Sequence, residues 1–176
     1  HHIPDKGPVL LLPNHVTWMD GFMITAATSR QVKFLISDMY YNVWFLKPFF
    51  KWVGFIPVPE AKGKKAIVEC LKAAKDALEN GEVVCIFPEG QLTRSGVMSE
   101  FKTGFTRMLP KRDDLTIIPM YLGMAWGSVF SFKYGKNIRP RIPSKIPYPL
   151  DIRFGKPLPL DIDAQEIGRA SCRERV

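Results

Sequence analysis

Apolar residues fall along this chain in short runs parted by polar turns, and the period of the runs changes from segment to segment. Val9-Leu10-Leu11-Leu12 is continuously apolar and closed by Pro13, which reads as a buried strand. Val83-Val84-Cys85-Ile86-Phe87 is apolar and rich in β-branched residues, the pattern of a parallel strand covered on both faces. Leu115 to Leu122 is a third such run, interrupted by Pro119. Val32 to Ser37 and Gly54 to Val58 are shorter candidates, and Leu150 to Phe154 alternates like an edge strand. Between the strands the period lengthens. Gly21 to Thr28 and Phe101 to Leu109 read as helices, and Asp38 to Trp52 as a helix broken at Pro48. Ala66 to Glu79 is the clearest helix, with Ile67, Cys70 or Leu71, Ala74 and Leu78 at helical spacing and Asn80-Gly81 as its stop. Strands alternating with helices predict a single α/β domain, a mostly parallel central sheet flanked by helices.

In such a sheet, ligands bind at the carboxyl ends of the strands. Two polar turns follow buried strands there. The first is Asn14-His15-Val16-Thr17-Trp18-Met19-Asp20, with a histidine on the turn and a carboxylate at the start of the next helix. Histidine is the commonest base near neutral pH, and a carboxylate on its second nitrogen fixes the tautomer. A helix cap beside a surface histidine explains the same residues equally well. The second turn, Pro88-Glu89-Gly90-Gln91-Leu92-Thr93-Arg94-Ser95-Gly96, places a carboxylate and a guanidinium five residues apart. Arginine presents a planar fork that matches phosphate. An ordinary loop with a surface ion pair is the alternative. A phosphate-binding Gly-Lys loop, a G-x-S-x-G nucleophile elbow and an H-E-x-x-H zinc motif are absent from the chain.

Composition narrows the partners. The 176 residues carry a formal charge of +8 with 46% apolar residues, which suits a globular domain facing anionic headgroups or phosphorylated substrates. No nucleic-acid module is recognisable. The aromatics Tyr40, Tyr41, Trp44, Phe45, Phe49, Phe50 and Trp52 lie beside Lys47 and Lys51. They divide between core packing and an interfacial surface where rings enter lipid and amines reach headgroups. The stretch Val43 to Val58 is too short and too charged for a spanning helix, which needs about 20 apolar residues. Cys70, Cys85 and Cys172 show no metal or disulfide spacing, which fits a reducing compartment. With histidines only at 1, 2 and 15, no histidine-rich metal site is expected.

Taken together, the turns resemble the glycerolipid acyltransferase family that includes 1-acylglycerol-3-phosphate acyltransferases. Asn14, His15 and Asp20 match its N-H-x-x-x-x-D motif. Gly54-Phe55-Ile56-Pro57-Val58 resembles the start of its second motif, Phe87-Pro88-Glu89-Gly90 with Arg94 and Ser95 its third, and Ile118-Pro119 its fourth. Order and spacing agree over about residues 4 to 160. A closer similarity is to the acyltransferase domain of bifunctional 2-acylglycerophosphoethanolamine acyltransferase/acyl-carrier-protein synthetase proteins. It rests on Val83-Val84-Cys85-Ile86-Phe87, then Phe101-Lys102-Thr103-Gly104-Phe105, Trp126-Gly127-Ser128-Val129-Phe130-Ser131-Phe132 and Phe154-Gly155-Lys156-Pro157-Leu158-Pro159.

The resemblance implies transfer of a fatty acyl group from acyl-CoA or acyl-carrier protein to a lysophospholipid hydroxyl, with no further cofactor and no metal. It implies His15 as general base supported by Asp20, and Asn14, Glu89, Gly90, Arg94 and Ser95 as substrate-binding residues. The family's second motif usually ends in an arginine that holds phosphate. Here Val58-Pro59-Glu60-Ala61-Lys62 follows, leaving Lys62, Lys64 and Lys65 as candidate phosphate contacts and favouring a phosphodiester-headgroup acceptor. Lysophosphatidate as acceptor is the near alternative, and a catalytically silent lipid-binding module the distant one. The implied setting is the cytoplasmic face of a membrane, peripheral or tethered through segments outside this chain. Fused acyl-activating or transporter domains are further implied partners. The domain is expected to span 1–165 and to be truncated at both ends. Residues 166–176 resemble one reading frame of a DNA-sequencing adapter and are left out of the fold.

Overall fold

The computed structural model describes residues 3–44, 47–59, 63–128, 130–134, 149–160 and 166. Its frame is a six-stranded sheet in the order β3-β2-β4-β1-β5-β6. The strands are β1 (Val9–Pro13), β2 (Val32–Ser37), β3 (Ile56–Val58), β4 (Val83–Cys85), β5 (Thr116–Gly123) and β6 (Asp151–Phe154). All neighbours run parallel except β5 and β6, which pair antiparallel. Helices α1 (Asp20–Ala27), α2 (Asp38–Tyr41), α3 (Lys47–Val53) and α4 (Gly63–Glu79) lie between the strands. This is the mostly parallel α/β sheet expected from the alternation of runs.

Strand β1 is central because both its faces are covered. Leu10 and Leu12 pack with Leu71, Ala74 and Leu78 of α4 and with Phe101, Phe105 and Met108. Val9 and Leu11 pack on the other side with Val16, Ile24, Phe34 and Ile118. A strand with two buried faces has no reason to alternate, which is why its sequence is an unbroken apolar run. Leu11 pairs with Cys85, the last residue of β4, so the chain ends of β1 and β4 emerge close together, while β5 runs on to Gly123.

The stop at Asn80-Gly81 is realised as a Schellman turn. Gly81 adopts φ +78°, its N–H donates to Leu78 O, and the N–H of Glu82 reaches Ala77 O. The stripe of α4 is Cys70, Leu71, Ala74, Ala77 and Leu78, whereas Ile67, expected on the same face, is exposed.

Three expectations change. The helix over 38–52 is two helices. Pro48 does not break its helix but sits in the first turn of α3, where a missing N–H loses no intrahelical bond. The helix over 101–109 is a 3₁₀ helix, Thr103–Met108. Its buried residues Phe105 and Met108 are three apart, the spacing that three residues per turn brings onto one face. Finally, the ladder of β4 ends at Cys85, although Ile86 still donates to Leu11 O, and Phe87 turns away to the site described below. Residues 60–62 of the basic turn, the proline-rich stretch 135–148 and nearly all of the adapter-like tail lie outside the described residues.

The aromatic segment divides as its composition suggested. Phe50 is buried and stacks on Phe55 with centroids 5.1 Å apart, while Trp44 and Trp52 are 84% and 81% exposed. Phe45 and the side chains of Tyr40 and Phe49 lie outside the described residues. No helix among the described residues is long and apolar enough to cross a membrane. Phe50→Ala should cost about 3–5 kcal/mol of stability, the range for deleting a buried aromatic ring. Trp52→Ala should cost less than about 1 kcal/mol, as an exposed position. Urea unfolding followed by circular dichroism checks both.

Candidate active site

The loop that leaves β1 is held by its own polar side chains. Asn14 is buried and behaves as one more ladder partner for β5: its Oδ1 accepts the N–H of Leu122 at 2.7 Å and its Nδ2 donates to Leu122 O at 3.1 Å. This extends the pairing of β1 past Pro13 and sets the direction in which His15 leaves. The main chain of His15 is then fixed from the neighbouring loop. Its N–H donates to Glu89 Oε1 at 2.8 Å, and its carbonyl accepts from Thr93 N–H at 2.9 Å.

The side chain of His15 is 21% exposed, and its Nδ1 lies 2.9 Å from Asp20 Oδ2. An ionised carboxylate only accepts, so Nδ1 carries the proton of this bond and Nε2 keeps its lone pair. Phe87 stacks on the imidazole, centroids 3.9 Å apart and planes 16° from parallel. The ring is thus clamped in direction by Asp20 and in plane by Phe87.

Asp20 is fully buried and accepts main-chain N–H bonds from Val16 at 2.7 Å and from Thr17 at 3.0 Å to each oxygen. The hydroxyl of Thr17 adds a bond of 2.6 Å to Oδ1. These donors lie before Asp20 in the chain. The carboxylate therefore does not cap α1 in the forward sense expected; it ties the loop back on itself. Thr17-x-x-Asp20 is the capping-box pattern, in which an acid reaches back to the N–H of a Ser or Thr three residues earlier. Read as such, the pattern marks Thr17 in the sequence.

Glu89 and Asn14, expected at the substrate surface, are placed differently. Glu89 is 1% exposed, with one oxygen on His15 N–H and the other on Ser99 N–H at 2.7 Å. Buried polar groups need partners, and the main chain supplies them here. Both side chains spend their hydrogen bonds on the main chain, Asn14 on β5 and Glu89 on the loops around the histidine. Gly90, Arg94 and Ser95 are exposed on the loop above. That loop is braced by Thr93, whose Oγ1 donates to Val97 O at 2.7 Å and accepts from Gly96 N–H at 3.0 Å. Gly90 has φ +66°, and a Cβ there would come 2.7 Å from Lys102 Nζ. The amine of Lys102 therefore crosses this glycine, a cation beside the third motif that sequence spacing left unmarked. Lys65 is exposed on α4, whereas Lys62 and the side chain of Lys64 lie outside the described residues.

Asn14 and Val16, which flank His15 in the chain, line a recess of about 330 Å³ including its open mouth, together with Met98, Leu122, Met124 and Trp126. The described cysteines are not nucleophiles. Burial pushes the Cys70 thiol up to about 11, and burial reinforced by the charge of Asp20 pushes Cys85 well above the usual thiol range.

Known proteins resemble this chain in sequence and in fold. A family described as Acyltransferase matches residues 1–123, which run from the first strand through β5. The chain is 27% identical over 144 residues to a 1-acyl-sn-glycerol-3-phosphate acyltransferase of Pseudomonas aeruginosa, covering 78% of this chain and 53% of that protein. It is 26% identical over 140 residues to one of Chlamydomonas reinhardtii, covering 78% of this chain and 40% of the relative. The chain thus spans about half the length, or less, of these relatives. Among solved structures, the 1-acyl-sn-glycerophosphate acyltransferase PlsC of Thermotoga maritima superposes with a TM-score of 0.69 at 14% identity, covering 99% of this chain and 67% of that one. With the motif turns at the carboxyl ends of β1 and β4, and a family match over most of its length, this chain belongs to the acyltransferase family.

Proposed function

We propose that this domain moves a fatty acyl group from an acyl thioester, acyl-CoA or acyl-carrier protein, to the hydroxyl of a lysophospholipid. The observation that carries the reading is the His15–Asp20 pair, half-shielded and clamped, at the carboxyl end of the central strands. Nε2 of His15 takes the proton of the acceptor hydroxyl as its oxygen attacks the thioester carbonyl. The tetrahedral intermediate collapses, the carbon–sulfur bond breaks, and the thiolate leaves with the proton returned by His15. The products are an ester and a free thiol. No acyl-enzyme is needed, in keeping with the high-lying thiols of Cys70 and Cys85. Asp20 orients the imidazole and stabilises its cation during the step. Arg94, exposed on the braced loop, is the cation we assign to the acceptor's phosphate, with Ser95 and Gly90 beside it.

The acceptor has two readings. The similarity of residues 101–105 and 126–132 to the bifunctional subgroup, and the lack of an arginine after β3, favour a phosphodiester headgroup such as phosphoethanolamine. The names of the curated relatives favour lysophosphatidate. Comparing kcat/KM for the two acceptors decides between them. In this reading the exposed Trp44 and Trp52, beside Lys47 and Lys51, meet the lipid surface that supplies the acceptor.

His15→Ala should lower kcat by about 10²–10⁴, the share of a positioned general base, with lipid binding retained. Steady-state turnover of an acyl thioester with each lysophospholipid measures this, and a folded His15→Ala protein with normal turnover would remove the mechanism. Separately, Trp44→Ala/Trp52→Ala should weaken co-sedimentation with anionic liposomes while thermal stability stays near that of the parent. Unchanged liposome binding would leave these rings without a lipid role.

A further inference from the structure

Thr17 does more than the motif asks of its position. It is 2% exposed, although it lies on a polar loop. Its hydroxyl donates to Asp20 Oδ1 at 2.6 Å and accepts from Met19 N–H at 3.2 Å. Its main chain forms an isolated antiparallel bridge with Ser131, on the segment that follows β5. Ser131 is itself fixed there, its Oγ accepting from Gly127 N–H at 3.0 Å and donating to Ser128 O at 2.9 Å. One residue on, Trp18 meets Phe130 edge to face with centroids 5.2 Å apart.

The two oxygens of Asp20 are served unequally. Among the described residues, Oδ2 receives His15 Nδ1, Val16 N–H and Thr17 N–H. Oδ1 receives only Thr17, through its N–H and its hydroxyl. The last torsion of an aspartate is broad and roughly two-fold, so the rotamer alone does not fix the plane of the carboxylate. Two donors from one residue, one of them short and aimed at Oδ1 alone, do fix it.

We propose that Thr17 is a positioning residue: its hydroxyl holds the Asp20 carboxylate in the rotation that presents Oδ2 to His15 Nδ1, and its bridge to Ser131 fastens that clamp to the segment after β5. The kinetic part of this inference rests on the acyl-transfer reading; the geometric part does not. Thr17→Val keeps the shape and loses the hydroxyl. Thr17→Ser keeps the hydroxyl and loses the methyl. If Thr17 only filled space, Val would be the tolerated change and Ser the damaging one.

Two readouts test it. In kinetics, Thr17→Val should lower kcat about 10- to 100-fold, the scale measured for outer partners that orient metal-bound histidines, with KM for both substrates unchanged. Thr17→Ser should stay close to the parent. In ¹⁵N–¹H spectra, the imidazole signals of His15, assigned by their loss in His15→Ala, should show a proton on Nδ1 in the parent and a mixture of tautomers in Thr17→Val. Should Thr17→Val fail to fold, Thr17→Ala takes its place with the same expectations. Unchanged kcat and tautomer in the hydroxyl-free variant, or equal damage from Thr17→Ser, overturns the proposal. A tautomer shift in a protein that transfers no acyl group would uphold the clamp and remove the acyl-transfer reading instead.

Discussion

A buried carboxylate must be surrounded by donors, and the site is arranged around two that take theirs from the main chain of one loop. Glu89 accepts from His15 N–H, and Asp20 from Val16 and Thr17. Each such bond to a charged group contributes about 1.5–3 kcal/mol, and leaving a buried carboxylate unpaired costs more. The loop after β1 therefore cannot relax without stranding charge. The bonds of His15 to Glu89 and to Thr93 lock the loops after β1 and β4 to each other, and the bond from Ser99 N–H to Glu89 closes the second loop on itself. The sheet makes this lock available: β1 and β4 are neighbours in register, and both turns leave the same edge.

In the acyl-transfer reading proposed above, the same constraint serves the chemistry. A general base gains from being held where it will act, because no orientation is then lost at the moment of reaction. Here the main chain of His15 is fixed on both sides, by Glu89 and Thr93, its ring is stacked on Phe87, and its Nδ1 is engaged by Asp20. The polar side chains exposed above it, Arg94 and Ser95, belong to a loop whose own turn is closed by Thr93. Buried ties hold the histidine from within, and Arg94 and Ser95 stay exposed on the neighbouring loop.

Much of this was legible before any coordinates. The unbroken runs at Val9 and Val83 announced strands covered on both faces, and the sheet places them side by side at its centre. Asn80-Gly81 announced the end of α4, and a Schellman turn stands there. What misled was local. Pro48 looked like a break because its position within a helix is invisible until the helix start is known. Residues 101–109 looked α-helical because a spacing of three or four fits both helix types over two turns. In the site, His15 and Asp20 were paired correctly in space. Asn14 and Glu89 were expected at the substrate surface because a polar residue in a motif reads the same whether it binds a ligand or a backbone. Burial separates the two, and burial here depends on contacts across 74 and 108 residues. Phe87 was likewise hidden, since its stacking needs β4 beside β1.

The hydrogen bonds of Glu89 put its carboxylate beneath the histidine, as a support for the loop that carries it. Glu89→Gln tests it most directly, because an amide offers one oxygen where two N–H groups need acceptors. One of His15 N–H and Ser99 N–H must then face an NH₂ group, a loss of about 1–3 kcal/mol. Chemical unfolding together with steady-state kinetics on a lysophospholipid and an acyl thioester gives the answer. With Glu89 as a support for the loop, stability and kcat should both fall while the acceptor KM stays unchanged. Parental stability and kcat with a raised acceptor KM would contradict it and place the carboxylate on the substrate.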